Sequence, residues 1–338
     1  MKRTLLAFLL LASCAVAVSC SPEGGSSSRG PAVLFAQTAP GILQTMVSAP
    51  TQTRFTGERQ VWIRGESRGA AQTLAYSETV YADGQGGFAI EPGAVTQPIL
   101  SQGQRDLFEI LQRAREGFLF RYRDFAVRDL ALLQQNYVVQ DLGTLVTVAG
   151  RVCQELRFER RLQPAREYVV AVDRLTGLVL RWEERNGSGP AIARVEYTSF
   201  DDAPDLTGIV MHADLPSTPL DITIDNKAVL GFPLRLPGVL HGFEPVDANS
   251  ITFDNRTWAR VQYQDGIEPL LYLFSHRNAV PGPSVLVQPD GPEGAPVIRV
   301  YTAGAWTIAE CSKNGSRFIV AGKLDEARLV ETLQSAVE

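Results

Sequence analysis

Ser67 stands at the centre of "GESRG", a Gly-x-Ser-x-Gly spacing. That spacing serves acyl transfer when a buried parallel strand runs into a strained turn and then a helix, which pushes the serine outward as a nucleophile. Here "RQVWIR" alternates polar and apolar residues, and a second strand-like run follows. Ser67 therefore reads as a hairpin residue. "GQGGFA" at 84–89 has Gly-x-Gly-x-x-Ala spacing, but a dinucleotide site needs a helix to start there and offer its amides to phosphate. "FAIEPG" breaks instead at Pro92, so this stretch is a turn. Asp265 lies in "VQYQDGIEPLLYLFSH", with His276 at its end and no serine or cysteine placed to act with the pair. Asp-Gly between two apolar runs is a favoured hairpin turn, because glycine takes positive φ cheaply. Asp265 builds a turn.

The remaining titratable groups suggest no reaction. Glu183 and Glu184 are neighbours on a strand and point to opposite faces, so they cannot converge on one substrate. Asp201 and Asp202 fall at the start of a Pro/Asp-rich stretch, and both acidic pairs read as solvated charge. His212, His241 and His276 have no ligand spacing, and Cys153 and Cys311 are far apart. No metal site and no cofactor is expected. The two cysteines read as separately buried small side chains, with a bridge between domains as the alternative.

The N-terminus is a targeting segment. "MKR" precedes the apolar run "TLLAFLLLASCAVAVS", which is short and early for a spanning helix. Two cysteines offer lipid-attachment sites. "LASC" ending at Cys14 fits the lipobox residue pattern better, whereas "AVSC" ending at Cys20 is followed by the polar tether "SPEGGSSSRG". Cys20 is the favoured site and Cys14 the alternative, with an ordinary cleaved signal as the remaining reading. The formal net charge of −5 lacks the basic surface that phosphate neutralisation requires, which excludes nucleic acid as the expected partner.

Several elements follow from periodicity. "GILQTMVSA" reads as a short helix with Ile42, Leu43, Met46 and Val47 on one side, stopped by Pro50. "RFTGERQVWIRG" and "TLAYSETVYADG" read as strands. Ser101 and Gln104 form a capping-box pattern ahead of a helix carrying Leu107, Ile110, Leu111, Ala114 and Phe118. From about 142 to 200, close-spaced strand patterns with short turns predict an antiparallel meander. A second strand-rich unit ends in "LDEARLVETLQSAVE", whose Leu324, Val330, Leu333 and Val337 give it an apolar stripe. Trp62, Phe108, Leu111, Phe118 and Tyr122 form an apolar set that either fills the layer between sheet and helix or lines a cavity there suited to an acyl chain.

The order of several stretches resembles the RseB/MucB family. "GILQTMVSAPTQTRFTGERQVWI" is similar to that family's opening, with Phe55 and Gly57 at the aromatic-x-Gly places. "VAGRVCQELRFERR", "YVVAVDRLTGLVLRWEERN" and "VEYTSF" resemble its later strands, with a Gly-Arg-x-Cys strand, an Asp-containing turn and a returning strand. "FPLRLPGVLHGFEPV", "VQYQDGIEPLLYLF" and "SRFIVAGKLDEARLVETLQSAV" look like its C-terminal domain. The resemblance implies an α+β protein, with an N-terminal curved antiparallel half-barrel sheet covering helices, as in LolA and LolB. A smaller antiparallel-sheet domain with a C-terminal helix follows. It further implies a non-enzymatic regulator on the periplasmic or cell-envelope side of a membrane. Such a regulator binds the extracytoplasmic part of a single-pass membrane anti-sigma factor, and lipid-like ligands relieve the inhibition.

The expected organisation is a signal peptide at 1–19, a flexible tether at 20–38, a LolA-like domain at 39–203, a linker at 204–226 and a C-terminal-type domain at 227–338. The candidate lipobox departs from the soluble periplasmic members and predicts a lipid-anchored protein. Because fold does not fix function, a lipid or lipoprotein carrier of the LolA/LolB type is the alternative.

Overall fold

The computed structural model describes residues 39–67, 70–95, 124–162, 166–186, 191–211, 217–253, 256–276, 298–303 and 306–337. The leader with Cys14 and Cys20, and the helix expected after Ser101, lie outside these residues.

Helix α1 (Ala39–Gln52) leads directly into β1 (Arg54–Ser67). It runs two residues past Pro50, so the proline sits in the last turn and does not end the helix. Its apolar side is as expected: Ile42, Leu43 and Met46 are buried, with Ala49 completing the stripe. β1 pairs along its whole length with β2 (Ala70–Asp83), and Ser67 opposite Ala70 is the last pair before the chain passes from one strand to the other. The Gly84–Gly87 segment turns the chain into β3 (Phe88–Val95). There Asp83 Oδ1 accepts hydrogen bonds from the amides of Gln85 and Gly87. β3 continues through Pro92, where a break was expected. It is a sheet edge with a register shift beside Pro92, the setting in which a strand accepts proline.

A short helix, α2 (Leu130–Asn136), precedes β4 (Tyr137–Val148). Asp129 caps it by accepting a hydrogen bond from the amide of Leu132 at 2.8 Å. The expected meander then follows as β5 (Arg151–Arg160), β6 (Arg166–Asp173), β7 (Val179–Asn186) and β8 (Ala191–Tyr197). β8 returns to pair with β1, closing the strand order β3-β2-β1-β8-β7-β6-β5-β4 in one open antiparallel sheet. Its inner face packs on the helices: Val61, Ile63, Leu156, Phe158, Val170, Trp182 and Val195 share a core with Ile42, Leu43 and Met46 of α1 and Leu133 of α2.

The second sheet has the order β13-β14-β15-β12-β11-β10-β9. It comprises β9 (Ser217–Pro219), β10 (Glu244–Phe253), β11 (Arg256–Gln264), β12 (Pro269–His276), β13 (Arg299–Ala303), β14 (Trp306–Lys313) and β15 (Ser316–Gly322). β9 lies inside the stretch read as linker and adds an edge strand to this sheet. Helix α3 (Glu326–Val337) covers one face, burying Leu329, Leu333, Ala336 and Val337 against β14 and β15. Leu329, not Val330, carries the stripe at its start. The α+β class, with an open antiparallel sheet over helices and a smaller sheet backed by a C-terminal helix, is the one expected.

The motif residues that carry the family resemblance meet in space. Phe55 stacks on Phe200 with centroids 5.4 Å apart, and Tyr197 lies edge-on to both. Gly57 lets that aromatic close in, since a Cβ there would stand 2.6 Å from the Ser199 carbonyl oxygen and 2.7 Å from the Tyr197 ring. Arg151, from the Gly-Arg-x-Cys strand, pairs at 2.8 Å with Asp173, which also accepts from the Thr176 hydroxyl at 2.7 Å and shapes the next turn.

Candidate functional site

The Asp265–Gly266 turn joins β11 to β12, as its sequence predicts. The Asp265 amide donates to the Glu268 carbonyl, and Asp265 Oδ1 accepts from the amides of Ile267 at 3.1 Å and Glu268 at 2.8 Å. The turn is not at the surface. Asp265 is 0% exposed and Ile267 1%, because the tip of this second-sheet hairpin is inserted against the inner face of the first sheet. Ile267 lies in the same core as Leu133, Phe158, Tyr168 and Trp182. Burying such a side chain contributes about 1.5–3 kcal/mol.

Backbone contacts seat the tip on α2. The Gly266 carbonyl accepts from the amides of Arg128 at 2.8 Å and Asp129 at 3.3 Å, and the Arg128 guanidinium donates to the Ile267 carbonyl at 2.7 Å. At the other end of α2, the Asn136 side-chain Nδ2 donates to the Asp265 carbonyl at 3.1 Å and the Gly242 carbonyl at 3.0 Å. Gly266 has φ +105, and a Cβ there would fall 2.3 Å from the Leu133 nitrogen. No other residue meets both demands.

Around this tip lies a buried ionic cluster. Arg160 pairs with Asp265 at 2.6 Å, and Tyr137 donates to Asp265 Oδ2 at 2.9 Å. Tyr168 donates to Glu268 Oε1 at 2.5 Å. Lys323, just after β15, stands 3.1 Å from Glu268 and 3.5 Å from Glu184. Arg166 holds the other side of Glu184, with Nε 2.6 Å from Oε1. Three cations thus meet three carboxylates, all nearly or fully buried apart from a small exposed part of Arg166. Isolated charges there would face a large desolvation penalty, and the pairing offsets it.

The protonation pattern follows. Burial alone would raise the Glu184 carboxyl, but the charges of Arg166 and Lys323 outweigh it and hold the group below its ordinary value. Burial, then the charge of Asp265, pushes the Tyr137 phenol well above its usual value. Burial, then Glu184 and Glu268, does the same for Tyr168. Both phenols therefore stay protonated as donors. The cluster is not fully satisfied: Glu268 Oε2 and Trp182 Nε1 have no hydrogen-bond partner among the described residues. It is a joint between the two sheets, with no nucleophile set beside a base.

The sequence reading of Glu184 as solvated charge is corrected here. Glu183 and Glu184 do point to opposite faces, Glu183 pairing with Arg185 on the outside. Glu184, however, is 0% exposed. The pattern that reveals it was present in "LRWEER": Leu180, Trp182 and Glu184 share the inward face, just as Leu156, Phe158 and Arg160 do on β5. Of the other acidic pair, Asp201 bridges Thr56 through the backbone and Asp202 pairs with Arg151 at 3.2 Å. Arg160, Tyr137, Tyr168, Glu268 and Lys323 escaped the sequence reading because each has a partner on the other sheet, and Arg166 because its partner Glu184 was read as solvated.

Of the apolar candidate set, Phe108, Leu111, Phe118 and Tyr122 lie outside the described residues. Trp62 is half-buried between the buried Val61 and Ile63, so strand alternation turns it to the opposite face. There it borders a groove with Gln60, Glu183, Arg194 and Glu196. Cys153 and Cys311 are both free and separately buried, the reading favoured from sequence. Burial pushes each thiol up to about 12. Among the described residues, no group of three or more His, Cys, Asp or Glu side chains is placed to hold a metal ion. No helix among them is long and apolar enough to cross a membrane.

Residues 103–216 match the family model described as the MucB/RseB N-terminal domain, in agreement with the resemblance in the sequence. Among solved structures, the chain is similar to the crystal structure of MucB in complex with MucA(peri), at 16% identity and TM-score 0.49, covering 88% of this chain and 98% of that one. It is also similar to the Pseudomonas aeruginosa MucA/MucB complex, at 15% identity and TM-score 0.46, covering 87% and 96%. A LolA superfamily protein from Nitrosomonas europaea matches at 13% identity and TM-score 0.20, covering 50% of this chain and 96% of its own. The comparison with curated proteins gives no match.

Proposed function

We propose that this chain, whose residues 103–216 carry the MucB/RseB N-terminal domain match, is an exported regulator of the cell envelope that binds the extracytoplasmic part of a single-pass membrane anti-sigma factor. That match is the observation that carries the reading. Exported and anchored through Cys20, or through Cys14 in the alternative processing, the protein stands off the membrane on the tether at 20–38. Its working parts are the domain at 39–203, the connecting stretch at 204–226 and the domain at 227–338. A lipid-like ligand in the first domain weakens its hold on the partner. The protein is a binding module and not an enzyme.

A lipid or lipoprotein carrier built on the same first sheet is the second reading. The buried joint favours the regulator, since a carrier needs only the first sheet, whereas here the second sheet is fixed to it by cross-sheet ion pairs and an inserted hairpin. Cross-linked pull-down from native membranes, with mass spectrometry of the captured proteins, separates the two. Recovery of a single-pass protein bearing a cytoplasmic sigma-binding domain supports the regulator. Recovery only of lipoproteins or lipid-handling proteins overturns it in favour of the carrier.

A further inference from the structure

The tip of the β11–β12 hairpin has an unusual composition for a turn. It presents one apolar side chain, Ile267, flanked by two carboxylates, Asp265 and Glu268. The surface that receives it has the complementary form. Leu133, Phe158, Tyr168 and Trp182 of the first domain share one buried core with Ile267, while Arg160 and Tyr137 of that domain meet the Asp265 carboxylate and Tyr168 meets that of Glu268. An apolar body beside a carboxylate is the outline of an anionic single-chain amphiphile. The receiving surface would meet such a molecule with an aromatic-aliphatic floor, a guanidinium and two phenol donors.

We infer that the hairpin tip is a built-in occupant of the first domain's ligand site, and that an anionic amphiphile enters by displacing it. The inference rests on the reading of the first domain as a lipid-responsive module. It adds what fills the site in the unliganded chain and how ligand entry reaches the second sheet. Displacement separates Asp265 from Arg160 and Glu268 from Tyr168. The second sheet would then lose the buried part of its hold on the first. The unpaired Glu268 Oε2 and Trp182 Nε1 make the docked state less tight than a fully satisfied joint, which suits an occupant that must leave.

Dodecanoate is a suitable probe, with dodecyl maltoside as its uncharged counterpart, both kept below micelle formation. Binding to the full exported chain is measured by calorimetry. Amide hydrogen exchange is followed at Arg128 and Asp129, which bond the Gly266 carbonyl, and at Ile267 and Glu268, which bond Asp265. The expected result is that dodecanoate binds more tightly than the maltoside and strips protection from all four amides. Ile267→Asp, which disfavours insertion of the tip, should bind dodecanoate about tenfold more tightly. Dodecanoate binding with those four amides still protected would overturn the built-in occupant while leaving the lipid-responsive reading intact. Absence of binding to both the native chain and Ile267→Asp would overturn the lipid reading itself, and the inference with it. Should Ile267→Asp fail to fold, the exchange experiment on the native chain still decides between these outcomes.

Discussion

Tyr168 and Glu268 lie 100 positions apart and meet in a buried hydrogen bond of 2.5 Å between the two sheets. Tyr168 faces inward from β6 of the first sheet, and Glu268 closes the turn that precedes β12 of the second. The bond ties a residue inside one core to the connection between two strands of another. Four further consequences of this joint and its surroundings are open to measurement.

Glu268→Ala leaves Lys323 and the Tyr168 hydroxyl without their shared partner in a buried setting. The expected loss is about 3–5 kcal/mol, because the buried cluster keeps three cations on two carboxylates, with Arg166 and Lys323 sharing Glu184. Replacing Lys323 with Met together with Glu268→Leu removes a cation and an anion at once and leaves Arg166 on Glu184. That double variant should be far less destabilised than Glu268→Ala. Urea unfolding of both proteins checks it, and equal losses in the two would contradict a charge-pair origin.

Gly266→Ala should lower stability by about 2 kcal/mol or more. The added Cβ meets the backbone of Leu133, which cannot rotate away, at a φ that alanine disfavours. Gly143→Ala is the control, since it shares a positive φ but has open space around it. Thermal melts should show a clearly larger drop for Gly266→Ala than for Gly143→Ala.

Acid should loosen the joint. The folded-state pKa of Glu184 lies below its ordinary value, so its contribution is fully present above the unfolded carboxyl range, about 4.3, and is lost as pH falls through the folded value. Urea midpoints taken from pH 7 down to pH 3 should therefore fall below about pH 4.3. Glu184→Gln should start lower at pH 7 and fall less steeply. Parallel pH profiles for the two proteins would count against the assignment.

Cys153 and Cys311 should resist iodoacetamide in the native chain at pH 8, since burial raises both thiols to about 12 and the thiolate is the reactive form. Unfolding in urea should expose both to full alkylation. Peptide mass spectrometry reads each cysteine separately. Native-state modification of either one at the rate of a free thiol would refute its burial.

Much of the local structure was legible before the fold. Alternation in "RQVWIR" and "LRFER" identified half-buried antiparallel strands, and the Asp265–Gly266 pair identified its own hairpin, because each signal is carried by neighbours within a few residues. Pro92 misled in one place. The residue stops a central strand, but whether a strand is central or at an edge is a property of the sheet and not of the segment. The helix α2 was missed for a related reason: seven residues give too short a stretch for a helical period to declare itself.

The sequence by itself determined the antiparallel character of both units, the hairpin at Asp265, most of the stripe of the C-terminal helix and the net negative charge of the chain. Only the tertiary structure decided what that hairpin touches. Periodicity states which side of a strand faces inward, and by that rule Glu184 and Arg160 were already inward-facing. It does not state which charge arrives opposite. Asp265, Glu268 and Lys323 come from a sheet that forms later in the chain, and their pairing with Arg160, Tyr168 and Glu184 exists only once the two sheets meet. A carboxylate among apolar neighbours looks solvated from its sequence and becomes a buried latch when the opposite charge is delivered from far along the chain.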